Sequence, residues 1–307
     1  MIKRYTHKSI TWIDVESPTR EEIRSLMEEY DINPEIAADL HLPSTTSYKE
    51  KLIAYKDYLY MVMHFPAFRH SNTGNIDQEV DFIVGKNFII TTRYETIDAF
   101  EKFTKTFEVT DMLGKNIMKD HAGYVLYYII KDMYMSISDE LDSINDTLKD
   151  IERKIFKGFQ KEMVIDLSDA SRDLINLKHI VISHKELLKS VAEVGNRIFD
   201  KHFSENFEKI ITEYYRIENM VMNDIDFLRE LRSTNDSLLT SKQNETIKTL
   251  TIMAFVTFPL TLISSIFGMN TKYLPFVGAD GDFWIVIAIM FVLALSFFLF
   301  FKKKKWL

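Results

Sequence analysis

Six hydroxyl side chains, Thr249, Thr251, Thr257, Thr261, Ser264 and Ser265, sit in a stretch with no ionisable residue between Lys248 and Lys272. Gly268-Met269-Asn270 stands where its apolar run stops. From Asn244, steps of three and four select Ile247, Thr251, Ala254, Phe258, Thr261 and Ser265. That is a heptad-like seam, the pattern of a helix packed beside copies of itself. Its hydroxyls either bond back to their own helix, with small residues easing helix packing, or line a path for water. Spacing alone leaves both open.

Other polar groups offer less. The eight histidines are scattered, and His179 and His184, five apart, do not share a helix face. They are expected to be structural. Asp139-Glu140-Asp142 and Asp224-Asp226 place carboxylates close together on helices. Hard divalent cations take oxygen ligands, so weak Mg²⁺ association is chemically available there, but a solvated acidic face is the simpler reading. The chain has no cysteine, hence no thiolate metal site and no disulfide framework. No nucleophile triad, acid/base pair, Walker loop or dinucleotide fingerprint is legible; Gly74, Gly85 and Gly114 are isolated. The expectation is a non-enzyme without an organic cofactor.

Two long apolar segments must position the seam. The first runs from Lys248 to Lys272 and the second, Phe283 to Phe301, is equally free of charge. At about 1.5 Å per residue each crosses a ~30 Å hydrocarbon core. The second is apolar on every face, as suits contact with lipid. Lys302–Lys305 follow it directly, whereas the connecting turn carries Lys272 beside Asp280 and Asp282. The lysine-rich end is therefore expected in the cytoplasm, and two crossings put the large N-terminal region there too. The N-terminus lacks the apolar run of a signal peptide. A net charge of −7 despite that lysine run makes the soluble part acidic, which argues against nucleic acid as a partner.

Upstream, residues 1–112 read as an α/β unit with a mostly antiparallel or mixed sheet. Ile10–Val15 is strand-like; Ser17 or Thr19 caps a helix carrying Ile23, Leu26, Met27 and Tyr30; Pro34 opens a short helix through Asp39. Hairpins are expected about Lys56-Asp57 and Gly85-Lys86. Residues 113–243 turn to long helix, beginning about Lys115. Gly158-Phe159-Gln160 forms a turn, Met163–Val191 runs back, and a third helix begins near Glu205 and continues unbroken into the first span. The remaining divisions are 244–270, a first transmembrane helix; 271–282, an external loop; and 283–307, a second transmembrane helix with a basic tail. The fold class is an α+β membrane protein: an N-terminal cytoplasmic α/β domain, a long helical stalk and two C-terminal transmembrane helices.

Gly268-Met269-Asn270 at the exit of the first of two terminal spans resembles the CorA family of magnesium channels. The order Pro259-Leu260-Thr261, Gly-Met-Asn, acidic turn, second span and lysine run is similar throughout. Trp12-Ile13-Asp14 and the segment from Asp31 to Asp39 extend the resemblance over nearly the whole chain. It implies a homopentamer in the plasma (inner) membrane, both termini cytoplasmic, passing Mg²⁺ inward down its electrochemical gradient, with Co²⁺ and Ni²⁺ as further cargo. It implies that Asn270 forms a ring of amide oxygens accepting hydrogen bonds from hydrated Mg²⁺, with Gly268 allowing a tight turn beneath. Asn244, Ile247, Leu250, Ala254 and Phe258 fall at the family's pore positions, with Thr261 and Ser265 deeper in the path. Spacing favours Thr251 where the family points to Leu250.

The resemblance also implies a regulatory Mg²⁺ site between subunits. Its first acid matches Asp39. Its second falls close to Lys209, flanked by Glu208 and Glu213, and a lysine there repels the ion. Either a flanking glutamate substitutes or regulation differs. Two other readings share these features: a zinc-transporting relative on the same scaffold, and a non-transporting membrane sensor. A sensor has no need of the polar seam or the amide at its mouth.

Overall fold

The computed structural model describes residues 1–41, 50–66, 77–94, 97–112, 121–270, 281–304 and 306. They form two compact units, Met1–Arg232 and Ser233–Leu307. The expected start of long helix near Lys115, the turn with Lys272 and Asp280, and Lys305 lie outside the described residues.

The first unit is built on a six-stranded sheet of β1 (Ile2–His7), β2 (Ile10–Glu16), β3 (Lys51–Ala54), β4 (Tyr58–Pro66), β5 (Asp77–Gly85) and β6 (Phe88–Arg93), in the order β1-β2-β6-β5-β4-β3. Only the β2–β6 pairing is parallel, so the sheet is mixed. Both expected hairpins form. Gly85 matters at its turn because a Cβ there would lie 2.3 Å from the Phe88 ring. The pattern reading gives no hint of β1. It is an edge strand that leaves Lys3, Arg4 and Thr6 exposed, so it lacks the apolar run that marks an interior strand.

Helix α1 (Arg20–Tyr30) starts at Thr19, which settles the choice of cap: Thr19 and Glu22 form a reciprocal capping box. Its Ile23, Leu26 and Met27 join Ile36 and Leu40 of the 3₁₀ helix Pro34–His41 on one sheet face. Helix α2 (Asp98–Met112), not singled out by pattern, covers the other face. Its Phe103 and Phe107 pack on Trp12 at ring distances of 5.1 and 5.6 Å.

Helices α3 (Gly123–Phe156) and α4 (Met163–Ile198) form the expected hairpin. α4 passes through Gly195 rather than ending at Val191, because Gly195 is buried against Phe203, where a Cβ would come within 2.1 Å of the ring. Helix α5 (Lys201–Phe267) accordingly starts four residues before Glu205 and runs unbroken for 67 residues. Arg216 of α5 donates to Ser138 and Asn145 donates to Asp224, at 2.9 Å each, so α3 and α5 run parallel.

A buried polar cluster ties the sheet to these helices. The His64 ring has Glu79 on its Nε2 side at 3.2 Å and Glu50 on its Nδ1 side at 3.6 Å. Burial opposes a charge on His64, but the two flanking carboxylates outweigh it and push its pKa up to about 10. His184 is wholly buried. Its Nε2 lies 2.8 Å from the His64 carbonyl, an acceptor only, so Nε2 carries the proton and Nδ1 accepts from the Tyr134 hydroxyl at 2.8 Å. Burial lowers the His184 pKa and keeps the ring neutral. Both histidines serve the structure, as expected.

Asp81, nearby on β5, accepts from the Tyr60 and Thr92 hydroxyls at 3.0 and 2.9 Å. Burial, helped by the charge of Glu79, raises its pKa to about 7. An acid raised on folding costs nothing below its ordinary pKa near 4 and destabilises increasingly as pH climbs to about 7. Asp81→Asn is therefore expected to stabilise by about 1–3 kcal/mol above pH 7 and to gain nothing at pH 4. Thermal unfolding at the two pH values checks this. An equal gain at both would place the effect outside Asp81 ionisation.

Candidate ion path and cation sites

In the second unit, the C-terminal part of α5 lies beside α6 (Asp282–Lys303), with Phe255 and Phe301 rings 6.4 Å apart. Both helices carry membrane-length apolar windows, with mean hydropathies of 2.0 and 2.8. Only 6% and 0% of those windows are buried. A core helix of a soluble protein hides such a surface, so these two are candidate spans whose apolar sides are left for lipid.

The face of α5 turned toward α6 carries Ile252, Val256, Ile263 and Phe267, buried or half-buried. On the opposite side, Asn244, Ile247, Phe258, Thr261 and Ser265 are exposed and Ala254 is half-buried. Phe258, at 74%, is among the most exposed large apolar residues. By helical spacing Thr251 falls within this stripe and Leu250 at its edge. Leu250 is 60% exposed, whereas Thr251 is half-buried. The hydroxyls of Thr251, Thr257 and Thr261 each donate to the carbonyl four residues back, at 2.8, 2.7 and 2.9 Å. Each threonine thus spends its hydrogen on its own helix and keeps its oxygen lone pairs. The two readings of the seam are compatible.

The helix ends at Phe267, and the Gly268 and Met269 amides close it onto Ser264 and Ile266 carbonyls at 2.9 and 3.2 Å. Gly268 does not adopt positive φ; among the described glycines only Gly158 and Gly281 do. The expected tight turn is made without positive φ, and Gly268 also allows close approach, since a Cβ would sit 3.1 Å from the Ser264 carbonyl oxygen. Met269 and Asn270 follow, both exposed, with Asn270 three residues past the last helical one.

The expected regulatory acids, which belong to two different subunits, have these surroundings within one chain. Asp39 is ion-paired with Lys51, brought beside it by the β3 strand. Glu213 is held by Arg216 at 3.0 Å, while Lys209 donates to Asn206 at 2.9 Å. Glu208 is exposed. Among the described residues no three His, Asp or Glu side chains are placed to hold a metal ion. Sequence reasoning missed Lys51 because it lies twelve residues from Asp39 with no local pattern joining them.

This architecture has counterparts. The family model described as CorA-like Mg2+ transporter protein matches residues 7–303. The chain belongs to that family. Relatives include the cobalt/magnesium transport protein CorA of Thermotoga maritima, 25% identical over 97% of this chain and 83% of its own length. That of Methanocaldococcus jannaschii is 22% identical over 97% and 92%. The complete structure of the M. jannaschii CorA magnesium transporter superposes with a TM-score of 0.84, 22% identity and coverage of 99% and 93%. The ZntB cytoplasmic domain from Vibrio parahaemolyticus shares the fold over 76% of this chain and 88% of its own, with a TM-score of 0.63 and 12% identity. Membership in this transporter family fits the two spans.

Proposed function

We propose that this protein is a homopentameric channel of the plasma membrane that carries Mg²⁺ inward down its electrochemical gradient. The observation that carries this reading is the exposed α5 stripe ending at Asn270, in a chain of the CorA-like Mg2+ transporter family. Membrane potential supplies roughly 2.3 kcal/mol per charge per 100 mV, doubled for a divalent ion, so no nucleotide is required. Asn270 amides receive the hydrated ion, and Thr261 and Ser265 accept hydrogen bonds from its waters. Phe258 and Leu250 close the path by excluding water, and their exposure in one chain leaves them free to meet their copies. Ala254, Ile247 and Asn244 continue the lining toward the cytoplasm, where the lysine run holds both termini. Co²⁺ and Ni²⁺ are expected as further cargo.

Regulation is read at Asp39. A Mg²⁺ ion bridging subunits there must displace Lys51 from Asp39, and Glu208 is the neighbouring acid best able to complete the site. Internal Mg²⁺ then holds the cytoplasmic domains together and the pore closed. The experiment is Mg²⁺ influx into proteoliposomes under an imposed potential, with internal Mg²⁺ varied. Wild type is expected to conduct and to close as internal Mg²⁺ rises. Lys51→Gln is expected to close at about fivefold lower internal Mg²⁺, and Asp39→Asn to resist closure, if the pair contributes about 1 kcal/mol. Unchanged inhibition in both variants removes Asp39 from the account. Passage of Zn²⁺ without Mg²⁺ would identify a zinc transporter instead. No divalent flux from folded pentamer would leave the sensor.

A further inference from the structure

Helix α6 ends in a closed turn. The Lys304 amide donates to the Phe300 carbonyl at 3.1 Å and the Trp306 amide to the Phe301 carbonyl at 3.0 Å. The Trp306 ring packs on that of Phe301 at 5.9 Å, the apolar contact that accompanies a Schellman ending. Phe301 is buried, with the Phe255 ring of α5 6.4 Å away. One side of the helix end is thus taken by α5 and Trp306.

The other sides are open and sharply divided. Phe298, Leu299 and Phe300 are 50%, 56% and 55% exposed, and Lys302, Lys303 and Lys304, all exposed, follow Phe301 directly. Among the described residues no carboxylate pairs with any of the three lysines. The acids of the second unit stand apart from them. Phe255 is level with Phe301, so Glu245 lies about 10 Å beyond the lysines along α5, in sequence between Lys242 and Lys248. Asp236 is farther still, and Asp282 opens the other end of α6, with Asp280 before it in sequence. Lys305 and the carboxylate of Leu307 follow in sequence and offset one another in charge.

An apolar ring capped by unpaired lysines at the end of a span fits a molecule with apolar chains below a negatively charged head. We propose that this end of α6 is a binding surface for anionic phospholipid, its lysines holding the headgroup and Trp306 resting at the interface beside it. Lysine clusters directly after a span attract anionic headgroups, and tryptophan favours that level of the bilayer. The proposal rests on α6 as a span and not on ion conduction. Tryptophan supplies the test, because two exposed ones mark opposite ends of α6: Trp306 beside the lysines and Trp284 beside Asp282. Trp12 is wholly buried and adds only a background that lipid cannot reach.

Full-length Trp284→Phe reports on Trp306, and Trp306→Phe reports on Trp284. Each is reconstituted in mixed phosphatidylcholine and phosphatidylglycerol vesicles, with quenching bromine on the chains of one lipid or of the other. Quenching at Trp306 is expected to favour phosphatidylglycerol by at least about fivefold, and high salt to remove the preference. Lys302→Gln with Lys303→Gln and Lys304→Gln is expected to remove it too, while Trp284 shows none. Equal quenching of Trp306 by the two lipids overturns the proposal, and the salt series decides the matter on unaltered lysines if the triple variant fails to insert. An equal preference at both ends of α6 also overturns it. So does quenching of Trp306 by neither lipid, which would assign the lysines to a neighbouring copy of the chain.

Discussion

Asn270→Ala is expected to abolish Mg²⁺ influx while leaving the protein folded and assembled. The side chain is exposed beyond the end of α5, so its removal leaves no cavity and breaks none of the helix-ending bonds at Gly268 and Met269. What it removes, on the pentameric reading, is one amide acceptor per subunit. At about 1 kcal/mol for each hydrogen bond to the ion's water shell, five together amount to about five thousandfold in flux. Influx into proteoliposomes, measured beside wild type matched for pentamer by mass, checks this. Retention of flux within about tenfold would mean that the amide is not the recognition element.

His64→Leu is expected to produce the largest loss of stability in the first unit. The substitution removes the cation between Glu50 and Glu79 and leaves two carboxylates buried without it. Breaking a buried pair this way costs about 3–5 kcal/mol. In a unit of this size that is about 10 °C or more in Tm. The pH dependence provides an independent check. A histidine raised on folding contributes stability that is complete below its ordinary pKa near 6.5 and is lost as pH climbs toward about 10. Wild-type Tm should fall over that interval, and the variant should be flatter there. His64→Leu with Glu79→Leu should be less damaging than His64→Leu alone, because it leaves one fewer orphaned charge. An unchanged Tm in His64→Leu would show that the cluster contributes nothing to stability.

Legibility in the sequence followed the range of the interaction. The capping box at Thr19, both hairpins, the long helices and the two spans rest on neighbours within a few residues, and periodicity exposed them. The edge strand β1 escaped because its exposed faces carry no pattern. The extra turns at the end of α4 escaped because Gly195 reads as a breaker until Phe203 is found against it. At the candidate sites the stripe of α5 was legible, since one helix supplies it. Leu250 and Thr251 remained open because spacing favours Thr251 and the family's pattern Leu250. The Lys51–Asp39 pair depends on a strand and a 3₁₀ helix meeting, which spacing does not encode. The same holds for His64 and His184, which lie 120 residues apart.

The threonines of α5 carry one further consequence. Thr251, Thr257 and Thr261 turn their hydroxyl hydrogens inward to the helix backbone. Their outward face therefore offers electron pairs and withholds protons. Chloride is solvated by hydrogens and finds none there, whereas a metal ion's water shell, all hydrogens on its outside, finds acceptors. If Thr261 lines the pore, as proposed above, anions would be rejected there without a charged side chain.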